Sequence, residues 1–166
     1  MNKNAAVYAG TFDPPTLGHI DIILRAKKIF KPLHILVAKN FSKKPLFSPE
    51  ERIELIKNSL QEVGENNNIV VEALDGLVID FCQKNKIKVL IRGLRAMSDF
   101  EKEFQMATMN RRLDSEVETL QMTTDEKYFF VSSSLVKELA ANGRAPTDIV
   151  SATVSKALLK KFSENS

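Results

Sequence analysis

A hydroxyl, a carboxylate and an imidazole lie close together in the stretch Gly10-Thr11-Phe12-Asp13-Pro14-Pro15-Thr16-Leu17-Gly18-His19. The apolar run Ala5 to Ala9 precedes it and an apolar-periodic segment starts at Ile20, so the order reads strand, turn, helix. A helix start offers backbone N–H groups and a partial positive charge. Thr11 and His19 beside such a start would surround an anion, and a nucleotide phosphate is the natural one. The glycine triplet of the dinucleotide fingerprint is missing, and so is the Lys-Ser/Thr of the P-loop. The ending Thr16-x-Gly18-His19 instead sets a hydroxyl and an imidazole at the helix start. A structural alternative makes His19 a helix cap or a half-buried surface histidine, but its place after Gly18, with Thr11 and Asp13 nearby, favours chemistry.

Three further clusters follow candidate strands. Ser42-Lys43-Lys44-Pro45 sits in the loop at 39–48, where adjacent lysines are either solvated charges or, at a strand's carboxyl end, anion ligands. Ile91-Arg92-Gly93-Leu94-Arg95 leaves a strand directly into two arginines separated by a glycine that admits close backbone approach. Arginine is a planar, permanently charged fork suited to phosphate oxygens; the alternative is salt bridges to Asp99, Glu101 or Glu103. Tyr128 to Ser134 places aromatics and three consecutive serines (Ser132, Ser133, Ser134) ahead of a helix. One serine is explained by capping, and the others suggest donors for phosphate or ribose. His34 lies within an apolar strand and receives no role. Cys82, Met106 and Met109 sit at helical spacing on apolar faces and read as core packing.

These clusters need a scaffold that brings strand ends together. Leu33 to Ala38, Ile69 to Ala73, Val89 to Ile91 and Val117 to Met122 are candidate strands after the first, alternating with helical patterns. That alternation predicts an α/β fold, a doubly wound parallel sheet of five strands with helices on both faces and its ligand at the carboxyl ends of the strands. Ser48, Pro49 and Glu51 mark a helix start, and Ser98 with Glu101 repeats the capping-box spacing before a helix to about Leu113. A helix begins near Ser134 and stops at Asn142-Gly143, and a last amphipathic helix covers about Asp148 to Phe162. With neither repeats nor a linker, residues 1–166 read as a single domain with a frayed tail at 163–166.

Composition fits this reading. The 166 residues are 43% hydrophobic and 27% charged, as expected of one globular core. No apolar run approaches a membrane span, the N-terminus lacks a secretory pattern, and the single Cys82 cannot form an intramolecular disulfide, so a cytoplasmic location and no membrane partner are expected. A net charge of +3, scattered along the chain, suits an anionic ligand and does not indicate nucleic acid.

Taken together, GTFDPPTLGH, SKKP, LIRGLRAMSDFEKEFQMATMNR and VSSSLVKELA closely resemble the bacterial phosphopantetheine adenylyltransferases of the TxGH nucleotidyltransferase superfamily, nearly end to end. The resemblance implies a Rossmann-like fold, ATP and 4'-phosphopantetheine as substrates, dephospho-coenzyme A and pyrophosphate as products, magnesium (Mg2+) and a homohexamer. By position it places Thr11, Lys43, Val78 and Arg92 toward phosphopantetheine. Thr11, Phe12, His19, Gly93, Leu94, Arg95, Glu103 and the run Tyr128, Phe129, Phe130, Val131, Ser132, Ser133 and Ser134 fall toward ATP. Pro15, Leu17 and Lys102 depart from the family's usual residues.

The chemistry expected of such a site follows from charge. A phosphomonoester has a second pKa near 6, so the attacking oxygen is largely deprotonated at neutral pH and needs neither a general base nor a protein nucleophile. Repulsion between two phosphates and charge growth on the α-phosphate are what must be countered. The assignments are therefore His19 to the α-phosphate, Lys43 and Arg92 to the incoming phosphate, Thr11 to its orientation, and Ser133 and Ser134 to the leaving pyrophosphate. Magnesium is expected to arrive with ATP, because the sequence shows no cage of carboxylates, and no metal ligand is assigned. The rival readings are a TxGH enzyme acting on a nicotinamide mononucleotide or glycerol phosphate acceptor, and a nucleotide-sensing or RNA-binding module without turnover. The apolar segment Phe100 to Met109 (Phe100, Phe104, Met106, Ala107, Met109) exceeds what one sheet need cover and is expected to face another subunit.

Overall fold

The computed structural model describes residues 4–39, 44–65, 67–95 and 97–164, without the side chains of Met97 and Ser98. Its elements run β1 (Ala6–Gly10), α1 (Leu17–Ile29), β2 (Leu33–Val37), α2 (Pro49–Glu62), β3 (Ile69–Ala73), α3 (Val78–Asn85), β4 (Val89–Leu94), α4 (Met97–Leu113), β5 (Glu118–Thr123), α5 (Ser133–Ala141) and α6 (Ala152–Ser163). The strands form one all-parallel sheet in the order β3-β2-β1-β4-β5. This is the expected doubly wound α/β architecture. The chain steps outward from β1 to β2 to β3, then returns to the other side of β1 for β4 and β5. The winding therefore reverses between β1 and β4.

Period-two alternation sorts the central strands between two cores. Ala6 and Tyr8 of β1, with Leu33, Ile35 and Val37 of β2, pack against Ile20, Ile22, Ile23 and Ala26 of α1 and Ile56 and Leu60 of α2. Val7, Ala9, Leu36 and Leu90 point the other way, toward Ile79 and Cys82 of α3. Burial on both faces is why β1 reads as a continuous apolar run. A third cluster lies outside the sheet, where Phe47 and Leu55 meet Val136 and Ala140 of α5 and Val154 and Leu158 of α6. That layer holds α5 against the rest of the molecule.

Several boundaries depart from expectation. The strand expected to end at Ile91 runs to Leu94, because Arg92, Gly93 and Leu94 pair with Gln121, Met122 and Thr123 of β5. Arg92 and Gly93 are thus strand residues, not loop residues. Ser98 lies in the first turn of α4 and does not precede it. The last helix starts at Ala152 under a Ser151 cap, since residues 148–150 are taken up by a turn in which Ile149 and Val150 N–H donate to the Pro146 carbonyl. That helix reaches Ser163, inside the expected tail. Ser48 and Glu51 form the expected capping box, and Ser132 caps α5.

Cys82 is fully buried, and burial pushes its thiol up to about 11, which suits core packing. Met106 and Met109 are not core: each is nearly half exposed, because α4 touches the sheet through β4 and β5 and turns most of its apolar residues outward. His34 pairs with Glu72 across β2 and β3 at 3.0 Å and meets the Phe81 ring edge-on, a satisfied strand residue as expected. Among the described residues no helix is long and apolar enough to cross a membrane.

Candidate active site

The reversal of winding opens a crevice. β1 and β4 pair only at Val7 with Leu90 and Tyr8 with Ile91, whereas β1 continues beside β2 to Gly10 and β4 beside β5 to Leu94. Beyond Tyr8 and Ile91 the sheet splits, which is where ligands enter doubly wound folds. A cavity of about 340 Å³ occupies the split, and Thr11, His19, Arg92, Gly93, Arg95, Glu103 and Ser132 to Ser134 are among its lining residues. Gly93 keeps it open: a Cβ there would fall 2.8 Å from Ile22 Cδ1 and 3.1 Å from the Tyr8 hydroxyl.

His19 serves as cap and cavity residue at once. Thr16 is the N-cap of α1, and its backbone N–H donates to His19 Nδ1 at 2.9 Å, with its hydroxyl also 2.9 Å away. A ring nitrogen that accepts a backbone N–H carries no proton, so the neutral ring keeps its proton on Nε2. Burial, and then the charges of Arg95 and Arg92, lower the His19 pKa from 6.5 to about 4. At neutral pH the side chain is therefore an uncharged hydrogen-bond donor at a helix start, oriented by its own turn.

The pKa has a measurable consequence. The unfolded chain protonates His19 near 6.5 and the folded chain only near 4. Its share of stability is complete above pH 6.5 and is lost as the pH falls through that window, where the unfolded state binds more protons. Urea denaturation between pH 7.5 and 4 should show a smaller loss for His19→Gln than for the wild type. Equal losses would contradict the assignment.

Arg92 reaches across the crevice. Its Nη1 donates to the Ala9 carbonyl at 2.6 Å, and its Nε and Nη2 engage both oxygens of Glu103 at 2.8 and 2.9 Å. Burial lowers its pKa, but the Glu103 carboxylate outweighs that effect and the net shift is upward. Arg95 makes a matching fork to Asp99 at 2.9 and 3.2 Å and donates to the Val131 carbonyl at 3.0 Å. The salt-bridge alternative is realised for both arginines, and each pair also lines the cavity. Lys102 adds a third cation to the lining.

The α5 end is tied to the β1–α1 turn. Ser133 Oγ donates to the Pro14 carbonyl at 2.8 Å, and Lys137 meets the Asp13 carboxylate at 2.9 Å. The Asp13 carboxylate also accepts the backbone N–H groups of Leu46 and Phe47. Turn, loop and helix therefore converge on one buried acid.

Other expected residues fall elsewhere. Lys43 lies outside the described residues. Phe12, with φ of +49°, turns its ring into the core against Tyr8 and His19, so only its backbone is available to a ligand. Val78 starts α3 and packs on the second core, and Leu94 is a β4 residue that does not line the cavity. Tyr128 and Val131 pack in the third cluster, while Phe129 and Phe130 stay exposed, Phe130 at 86%. Tyr8, Ile22, Asp99 and Thr124 line the cavity without having been expected there. The spacing of Thr16 and His19, which is that of a capping box, is the signal that would have revealed the double role of His19.

Residues 7–139 match the model of the cytidylyltransferase-like family, the class that this sheet and turn define. A phosphopantetheine adenylyltransferase from Dictyoglomus thermophilum is 47% identical over 157 residues, 95% of this chain and 94% of the relative. One from Staphylococcus saprophyticus subsp. saprophyticus is 49% identical over 162 residues, 98% and 99% of the two chains. The chain belongs to the phosphopantetheine adenylyltransferase family. Among solved structures, the bifunctional NMN adenylyltransferase/ADP ribose pyrophosphatase from Francisella tularensis superposes with a TM-score of 0.73 at 17% identity, covering 98% of this chain and 53% of that one. The Plasmodium falciparum nicotinic acid mononucleotide adenylyltransferase complexed with NaAD gives 0.69 at 12% identity and 95% coverage of both chains. These two share the fold.

Proposed function

We propose that this chain transfers the adenylyl group of ATP reversibly to 4'-phosphopantetheine, giving dephospho-coenzyme A and pyrophosphate. The observation that carries the chemistry is the neutral His19, fixed by Thr16 beside two arginines at the split between β1 and β4. Family membership carries the choice of acceptor.

An oxygen of the acceptor phosphate attacks the α-phosphorus, forming a P–O bond as the bond to pyrophosphate breaks in line. No proton need leave the dianionic acceptor. His19 donates from Nε2 to an α-phosphate oxygen as its charge grows. Arg92 and Lys43 offset the acceptor's charge, Arg92 by sharing its fork between Glu103 and the phosphate, and Thr11 orients it. Arg95 and the start of α5 at Ser133 and Ser134 receive the leaving pyrophosphate. Magnesium travels with the triphosphate as part of the substrate, and the two acids of the cavity, Asp99 and Glu103, are taken up by arginines. Pyrophosphate release measured with a panel of phosphomonoesters should be strongest with phosphopantetheine. Preference for nicotinamide mononucleotide would move the chain to another acceptor.

The assembly belongs to the same reading. Phe100, Phe104, Met106 and Met109 of α4 are 42–59% exposed, and Phe100 and Phe104 stack at 5.9 Å. An apolar face of this kind suits a contact surface, and we read it as the interface of a cytoplasmic homohexamer with closed symmetry, as the family resemblance implies. Light scattering at micromolar concentration should report a multiple of 18.7 kDa without ligand. A monomer would sink this assignment of α4 and leave the chemistry at His19 standing.

A further inference from the structure

Arg52, on α2, is 2% exposed, yet among the described residues backbone carbonyls, not a carboxylate, accept from its guanidinium. Its Nη1 donates to the Thr11 carbonyl at 2.6 Å and to the Ala38 carbonyl at 3.0 Å, and its Nε donates to the Ser48 carbonyl at 3.2 Å. These acceptors belong to three separate pieces of chain: the turn after β1, the exit from β2 and the cap of α2. Burial lowers the guanidinium's pKa, and the nearby Asp13 charge works against that shift. A buried charge is seldom needed for stability alone, because an apolar side chain of similar volume often serves as well. What an apolar side chain would lack is a rigid fork able to hold several carbonyls in fixed directions.

We infer that Arg52 is a positioning residue for the acceptor half of the site, holding both ends of the 39–48 loop against the turn that carries Thr11. Ala38 and Ser48 flank the loop in which the sequence places Lys43, and Thr11 lines the cavity. The inference rests on the proposed assignment of Thr11 and Lys43 to the acceptor phosphate. The ATP half is secured by other contacts: Thr16 with His19, Arg95 with Asp99 and Val131, and Ser133 with Pro14. None of these involves Arg52, and of the residues it holds only Thr11 is also placed toward ATP, so disturbing it should weigh on the acceptor far more than on ATP.

Arg52→Lys keeps the buried charge but offers one ammonium where the fork spanned three carbonyls, and Arg52→Met removes the charge at similar volume. Steady-state kinetics with each substrate varied in turn, alongside thermal denaturation, tests the inference. For Arg52→Lys the KM for phosphopantetheine should rise about tenfold or more, with the KM for ATP within about twofold of wild type, as expected of a misplaced binding group. A merely structural role would reduce the folded fraction, scaling turnover and leaving both KM values in place. Unchanged KM values in folded Arg52→Lys, or equal rises in both, would overturn the inference. Should Arg52→Met fail to fold, Arg52→Lys decides alone. A wild type that makes no product from phosphopantetheine would instead overturn the proposed acceptor, and this inference with it.

Discussion

His19→Ala should lower turnover by about 10²-fold or more while changing ATP affinity by less than about threefold. The reason lies in timing: a neutral Nε2–H gains strength as charge accumulates on the α-phosphate, so the contact matters most in the transition state. The substitution also removes the acceptor of the Thr16 N–H at the start of α1. That loss costs about 1 kcal/mol of stability. His19→Gln separates the two roles, because glutamine at the third helical position can restore the capping box but does not place the imidazole's donor. Recovered stability with turnover still low is the expected result, read from thermal denaturation and initial rates. Turnover near wild type in either variant would contradict the assignment.

Arg92→Ala should raise the KM for phosphopantetheine by about 10- to 100-fold and affect ATP far less, as expected when a charge-assisted fork to a phosphate is lost. The variant also leaves the Glu103 carboxylate and the Ala9 carbonyl without their shared donor, so some loss of stability will accompany it. Lys43→Ala should shift the same parameter. Pantetheine lacking the phosphate provides the control, and it should bind wild type and both variants about equally poorly. If it binds wild type as tightly as the phosphorylated compound does, neither cation recognises the acceptor's phosphate.

The β1 strand and the turn to His19 were readable because a strand buried on both faces writes a continuous apolar run, and because Gly, Pro and Thr punctuate the turn. Ser48 was readable as a cap, and one of Ser132 to Ser134 as another, because a cap is a local hydrogen bond between near neighbours in sequence. The position of Arg52 was not, since the carbonyls of residues 11, 38 and 48 meet only once β1 and β2 pair. Met106 and Met109 misled for a related reason: periodicity marks an apolar face without saying what covers it, and α4 turns that face outward. Arg92 and Arg95 defeated a choice between salt bridge and ligand. A guanidinium held by a carboxylate at the wall of a cavity leaves both readings standing.

Purified protein incubated with ATP, magnesium and 4'-phosphopantetheine, with products resolved by mass spectrometry, tests the central claim most directly. Dephospho-coenzyme A and pyrophosphate should appear in equal amounts, and added pyrophosphate should drive dephospho-coenzyme A back to ATP and phosphopantetheine. Absence of dephospho-coenzyme A from folded protein, with pyrophosphate released on a different phosphomonoester, would contradict it.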